Sequence, residues 1–185
     1  GGGLAPAIAS MSKAPLMDAG AESLVDALDE FRHDLDDELI AIANEHLGDE
    51  DICELAGVER LEDARQLSLV VDTTGENSML SDLGARLPNL TSLKLNGSTL
   101  SSIRDLGSAW PNLDVVYLSR CRLSDLDGLH GLARVRELYL SFNDVADLSP
   151  FVALEQLTVL DLEANKVADL AQVEFLSTCS ELTDL

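Results

Sequence analysis

The chain has 185 residues, with 34 acidic and 12 basic side chains, and its formal charge of −22 excludes a phosphate-seeking surface built on clustered Lys and Arg. The same charge opposes an electrostatic hold on an anionic membrane. No apolar run approaches the roughly 18 residues of a membrane span. Hydrophobic residues at 46% are too many for a disordered acidic tail, and with 4% aromatics the core must be aliphatic. Cys53, Cys121 and Cys179 are odd in number and widely spaced, which reads as reduced thiols in a reducing interior.

Residues 1–20 are rich in Gly, Ala and Pro, and Pro6 interrupts the apolar stretch Leu4–Ala9. They read as a flexible lead and not as an export signal. The acceptor triplets at Asn89 and Asn96 are then coincidental. From residue 21 to 47, Leu24, Leu28, Phe31, Leu35, Leu39 and Ile42 recur at helical spacing without an internal Gly or Pro. This predicts an amphipathic helix of roughly 40 Å at about 1.5 Å per residue. A shorter helix comes next, with Asp49 or Asp51 as N-cap, Ile52 to Ala56 as body and Gly57 as stop. Between Leu16 and Gln66 stand 17 acidic and 3 basic residues, a net of 3 − 17 = −14. Residues 21–63 therefore form an acidic helical cap at the N-terminal end of the fold, with a docking helix for another protein as the alternative.

From residue 64 the chain repeats itself. Leu90, Leu93, Leu95, Ser98 and Leu100 occupy the spacing L-x-x-L-x-L-x-x-N/C-x-L. Leu113, Val116, Leu118, Cys121 and Leu123 form the next copy. Val135, Leu138, Leu140, Asn143 and Val145 form a third, and Leu157, Leu160, Leu162, Asn165 and Val167 a fourth. A second aliphatic set returns behind each copy, through Ile103, Leu126, Leu148 and Leu170, then Leu106, Leu129, Phe151 and Val173. Ala64, Leu67 and Leu69 mark a fainter copy before these, with a lengthened turn over 70–80. Leu182 and Leu185 open a copy that stops short.

This pattern predicts a right-handed α/β solenoid, a leucine-rich repeat array over 64–185 of about five repeats with the last truncated. Each L-x-L pair lies on a short parallel strand with its leucines inward. The ninth residue, Asn or Cys, satisfies backbone groups in the turn. One repeat cannot bury its apolar face, whereas stacked neighbours share one core. An open strand edge with apolar neighbours implies that the natural chain continues past Leu185.

Several stretches go beyond the generic repeat. They are VDT (71–73), LPNLTSLKLNGSTLSSIRDLG (87–107), RCRLSDLDGL (120–129), ELYLSFNDVADLSP (137–150) and LEQLTVLDLEANKVADLAQVEFL (154–176). With IANEHLGDEDICELAGVERLED (42–63), they resemble the ciliary family named leucine-rich repeat-containing protein fifty-six. The resemblance covers about 44–185 and includes neither the acidic helix at 21–47 nor the family's long tail. It implies a cytoplasmic and axonemal adaptor that assembles or delivers outer dynein arms, with intraflagellar-transport or dynein-arm components as protein partners.

No catalytic motif is present, neither GxSxG, GxGxxG nor a phosphate loop, so the chain reads as no enzyme and calls for no cofactor, metal or small-molecule substrate. His46 and Cys53 are close enough in sequence to raise a nucleophile–base pair, against the plainer reading of packed or surface residues. Asp125, Asp147 and Asp169 recur in register, where capping the next turn is preferred over a cation column. Trp110 reads as packing on the side opposite the strands.

The informative positions face outward from the strands on the concave side. Tyr117 and Tyr139, the only tyrosines, both fall there and are expected side by side, with Arg120 and Phe142 next to them. The expected contact residues are Lys94, Val115, Tyr117, Arg120, Tyr139, Phe142 and Asp161, because aromatics and Arg are enriched where binding energy concentrates. Solvated filler is the plainer reading of these positions. A regulatory subunit docking on an enzyme such as a phosphatase, or a structural axonemal component, are the alternative roles.

Overall fold

The computed structural model describes residues 47–74 and 80–185. The expectations for the lead at 1–20, for the helix at 21–47 apart from Leu47, and for a His46–Cys53 pair lie outside the described residues. Helix α1 (Asp49–Ala56) carries Asp49, Glu50 and Asp51 in its first turn, where the helix dipole favours negative charge. Its N-cap is Gly48 and not Asp49 or Asp51. Ile52 N–H already bonds Gly48 O at 3.1 Å, which draws both aspartates inside the helix. Asp51 instead reaches back to accept Gly48 N–H at 2.9 Å. Gly57 ends the helix in the left-handed conformation, φ 66°. Ile52 is fully buried, and Leu55, Ala56 and Val58 pack against the same core.

Five three-residue strands come after it: β1 (Gln66–Ser68), β2 (Ser92–Lys94), β3 (Val115–Tyr117), β4 (Glu137–Tyr139) and β5 (Val159–Asp161). They form one parallel sheet in chain order. The middle residues Leu67, Leu93, Val116, Leu138 and Leu160 are in register and at most 2% exposed. Their flanking residues therefore face outward, because side chains alternate along a strand.

Behind the sheet the chain returns in tight 3-10 segments at Ile103–Leu106, Leu129–Leu132, Ser149–Ala153 and Leu170–Thr178. Among the described residues only the first return is α-helical, as α2 (Leu80–Arg86), which begins where the lengthened turn expected over 70–80 ends. Gly84 of α2 lies so close to the next repeat that a Cβ there would stand 2.4 Å from Ala109 O. Trp110 fills the same corner on the return side, 5% exposed, and donates its indole N–H to Leu106 O at 2.7 Å.

Where each strand turns, its carbonyls leave the ladder and meet the ninth-position side chain. Asn143 donates to Leu118 O and Leu140 O, both at 2.8 Å, and accepts from Cys121 N–H at 2.9 Å and Leu123 N–H at 3.1 Å. Asn165 repeats this one step along, donating to Leu140 O at 2.8 Å and accepting from Val145 N–H at 3.0 Å. Cys121 donates its thiol to Leu95 O at 3.0 Å, and Ser98 accepts Val71 N–H at 3.1 Å. Burial pushes the Cys121 thiol up to about 12, so it stays a protonated donor.

In-register caps open the return segments. Ser102, Asp125, Asp147 and Asp169 each accept the backbone N–H two residues on, at 3.2, 2.8, 2.8 and 2.9 Å. These carboxylates are occupied with their own turns, as the capping reading expects.

The register positions are not equally buried. Ile103, Leu126 and Leu148 are at most 2% exposed, whereas Leu170 at the equivalent place is 87% exposed. Val173 and Phe175 are exposed too, and Leu162 and Val167 are only partly buried. Beyond β5, Asp184 makes one parallel bridge to Val159, and Leu160 N–H donates to Asp184 O at 3.0 Å.

Asn143→Leu keeps the branched side-chain shape but strands two buried N–H groups and the strand-end carbonyls. It is expected to lower the unfolding free energy by about 2–4 kcal/mol in urea titration, since an orphaned buried group costs about 1–3 kcal/mol. Asn165→Leu, at a half-buried site, is expected to cost less.

Candidate functional site

The outward side chains form rows across the sheet, because the register carries each repeat position onto its neighbour. Lys94, Tyr117, Tyr139 and Asp161 are consecutive partners on β2, β3, β4 and β5. Ser92, Val115, Glu137 and Val159 form the row beside them, which Asp184 extends. The Tyr117 and Tyr139 rings stack with centroids 4.6 Å apart and planes 8° from parallel. That separation matches the strand spacing of about 4.8 Å, so the stack runs across the strands. One face of each ring is covered by the other tyrosine. The free face of Tyr139 points toward β5, and that of Tyr117 toward β2.

A second pair lies at the strand exits. The Arg120 guanidinium carbon sits 4.4 Å from the Phe142 ring centroid, a cation–π contact. Both residues have left-handed backbone, φ 60° for Arg120 and 57° for Phe142, and share this repeat position with Gly97 (φ 79°) and Ala164 (φ 53°). The turn is imposed by the ladder: Gly97 N–H bonds Ser119 O at 2.9 Å, Arg120 N–H bonds Ser141 O at 3.0 Å, and Phe142 N–H bonds Glu163 O at 2.8 Å. Left-handed backbone costs a residue with a Cβ roughly 1–2 kcal/mol. Phe142 bears that cost while 44% exposed.

Five of the seven residues expected from sequence thus lie on one face of the sheet, and the other two pair at the strand exits. Lys94, Tyr117, Tyr139 and Asp161 share a row, Val115 stands one place back, and Arg120 with Phe142 flank the exits. Three carboxylates were not among the expected residues. Glu137 accepts the Tyr139 hydroxyl at 3.0 Å, Glu163 lies just past Asp161 and donates its N–H to Asp161 Oδ1 at 2.9 Å, and Asp184 continues the Glu137 row. Glu137 was legible from its place opposite Val115; Asp184 was not, because its strand is barely begun.

Among the described residues, no Lys or Arg forms an ion pair with Glu137, Asp161, Glu163 or Asp184; the pairs that do form, such as Arg136–Asp114 and Lys166–Asp144, involve other carboxylates. Burial pushes the Tyr139 hydroxyl up to about 12, helped by the hydrogen bond to the Glu137 carboxylate. Cys53 is half-buried in a groove with Asp49, Glu54, Arg60 and Arg86, and no described lining residue is an imidazole. The described residues hold no cluster of His, Cys, Asp and Glu able to ligate a metal. Nor do they include a helix long and apolar enough to cross a membrane.

Leucine-rich repeat models match residues 87–145 and 133–178. Leucine-rich repeat-containing protein 56 from Homo sapiens is 46% identical over 144 residues, covering 78% of this chain and 26% of the relative. The protein of that name from Rattus norvegicus is 48% identical over 141 residues, covering 76% of this chain and 25% of the relative. The chain belongs to the leucine-rich repeat-containing protein 56 family. It spans about a quarter of the length of these relatives. Among solved structures, an internalin (inlF) from Listeria monocytogenes overlays with a TM-score of 0.52 at 21% identity, covering 74% of this chain and 43% of that one, which is a likeness of fold. No catalytic family is among these matches, and the fold is that of a leucine-rich repeat protein.

In this family member the tyrosine pair supplies its own reporter, since the chain has only two tyrosines. Ultraviolet titration of the folded protein is expected to show one phenol ionising at about 12. Glu137→Gln removes the carboxylate that holds the proton, and is expected to move that transition down toward the ordinary value of 10. An unmoved transition would remove Glu137 as a cause.

Proposed function

We propose that this chain is a non-enzymatic adaptor that holds a protein partner on the outward face of its sheet. Its work, by the family resemblance, is assembling outer dynein arms or delivering them by intraflagellar transport in the cytoplasm and cilium. The observation that carries the binding reading is Phe142. An exposed aromatic in left-handed backbone gains nothing from the core and occupies a turn position where Gly97 serves elsewhere. Three residues before it comes Tyr139, stacked on Tyr117, with both rings half-exposed. An ordered aromatic and arginine patch of this kind supports a binding role. The ciliary assignment rests on the resemblance in the repeat stretches.

Size sets the strength of the contact. Five strands at about 4.8 Å, each presenting about four residues at about 3.3 Å, project roughly 250 Å². A stable interface takes about 800 Å² per partner. The face alone therefore suits a helix or an extended peptide held weakly.

Affinity capture from ciliated cells, with quantitative mass spectrometry of dynein-arm and intraflagellar-transport components, tests this reading. Tyr117→Ala with Tyr139→Ala is expected to lower recovery of those components at least tenfold. Phe142→Gly is expected to lower recovery too while leaving the urea midpoint unchanged or raised, because glycine relieves the left-handed turn. Unchanged recovery in both variants would end the proposal that this face is the docking surface.

A further inference from the structure

The sheet face is electrically lopsided. At the β2 side stands Lys94, and at the β4–β5 side stand Glu137, Asp161, Glu163 and Asp184, none of them paired with a Lys or Arg among the described residues. Between these carboxylates and the tyrosine stack lies the free face of the Tyr139 ring, directed at the strand that carries Asp161. Carboxylates alone attract any cation. An aromatic face beside them favours a flat, weakly hydrated one, because a guanidinium stacks on a ring while its edge bonds carboxylate oxygens.

We propose that the β4–β5 half of this face is an arginine-reading subsite, in which a guanidinium from the partner segment stacks on Tyr139 and bonds Asp161 and Glu137. The proposal rests on the docking reading above and adds the chemistry of what docks: a basic segment, lying with its arginine over β5 and its neutral or acidic end toward Lys94. Tyr117 backs Tyr139 and fixes the ring's orientation, and the Glu137–Tyr139 hydrogen bond at 3.0 Å fixes its tilt. The Asp161 carboxylate is held in place by Glu163 N–H at 2.9 Å, leaving Oδ2 for the guest. The structure thus presents a formed platform, with little side-chain ordering left to lower the affinity.

The test uses the full chain, with fluorescein-labelled alanine-based peptides of equal length carrying arginines, lysines or glutamates at matched positions. Fluorescence polarisation at physiological salt measures binding. Ring-carbon NMR signals of the two tyrosines locate it. The arginine peptide is expected to bind more tightly than the lysine peptide, the glutamate peptide not at all, and the Tyr139 ring signal to move on titration. The isosteric pair Glu137→Gln with Asp161→Asn is expected to weaken the arginine peptide about tenfold, a loss of about 1.4 kcal/mol. Glu155→Gln with Glu174→Gln makes the same charge change at exposed residues off this face, and is expected to leave binding within about twofold.

Equal weakening by the two pairs would reduce the effect to net charge and overturn the subsite. So would a Tyr139 signal that does not move, or equal binding of the lysine peptide. The two readings separate cleanly in the cell assay. If Tyr117→Ala with Tyr139→Ala loses the partner while Glu137→Gln with Asp161→Asn keeps it, the docking face stands and the arginine subsite falls. If neither pair loses it while the arginine peptide still moves the Tyr139 signal, the subsite stands and the docking face falls.

Discussion

The structure depends on one hydrogen-bonding requirement: a three-residue strand must end in a sharp turn whose backbone groups are buried. Asn143 meets it with both ends of its amide, tying a carbonyl of its own repeat to a carbonyl and two N–H groups of the repeat before it. Because its partners lie in adjacent repeats, each such amide sets the register as well as closing its own turn. A slip of one residue would turn the inward leucines of a strand to its outer face. It would also strand several buried polar groups of the amide network at about 1–3 kcal/mol each. Ser98 and Cys121 hold the same place with fewer bonds, one and two repeats into the array.

With stability drawn from the inward leucines and the turn amides, the outward rows carry no duty to the fold. Val116 and Leu138 are fully buried, while their neighbours Tyr117 and Tyr139 remain half-exposed on the other side of the same strands. A two-residue period thus divides one short strand between two jobs. The consequence reaches the site. Tyr117 and Tyr139 sit one strand spacing apart because Val116 and Leu138 do, so the core determines the geometry of the aromatic stack.

Much of this was legible in the leucines. Leu67, Leu93, Val116, Leu138 and Leu160 recur every 22 to 26 residues, and aligning them gives the register. The tyrosine pair was legible for the same reason. What escaped was local and cooperative. The return segments carry their aliphatics at a spacing that fits α, 3-10 or irregular backbone, and only the room left by the neighbouring repeat decides; Gly84 against Ala109 made room for a helix at α2. The N-cap at Gly48 escaped because aspartates are good caps in general, and the actual start depended on where Ile52 found its acceptor. The outward places of Glu137 and Glu163 were legible, but their role did not stand out in a chain with 34 acidic residues, and Asp184 escaped altogether. Their meaning comes from having no Lys or Arg partner among the described residues, which is a property of the surface and not of the residue type.

The eighth repeat position shows how fold and surface are joined. Its left-handed backbone is a demand of the strand ladder, met by Gly97 without strain and by Arg120, Phe142 and Ala164 against it. Ala164 has almost nothing to offer a partner, so strain at this position does not by itself mark function. Arg120 and Phe142 differ in reaching each other across repeats at 4.4 Å, a contact worth about 0.5–1 kcal/mol at an exposed site. That recovers only part of two left-handed residues at roughly 1–2 kcal/mol each. The balance is a net cost to the folded chain, concentrated on the two residues best suited to meet another protein. A face selected for stability alone would carry glycine at both.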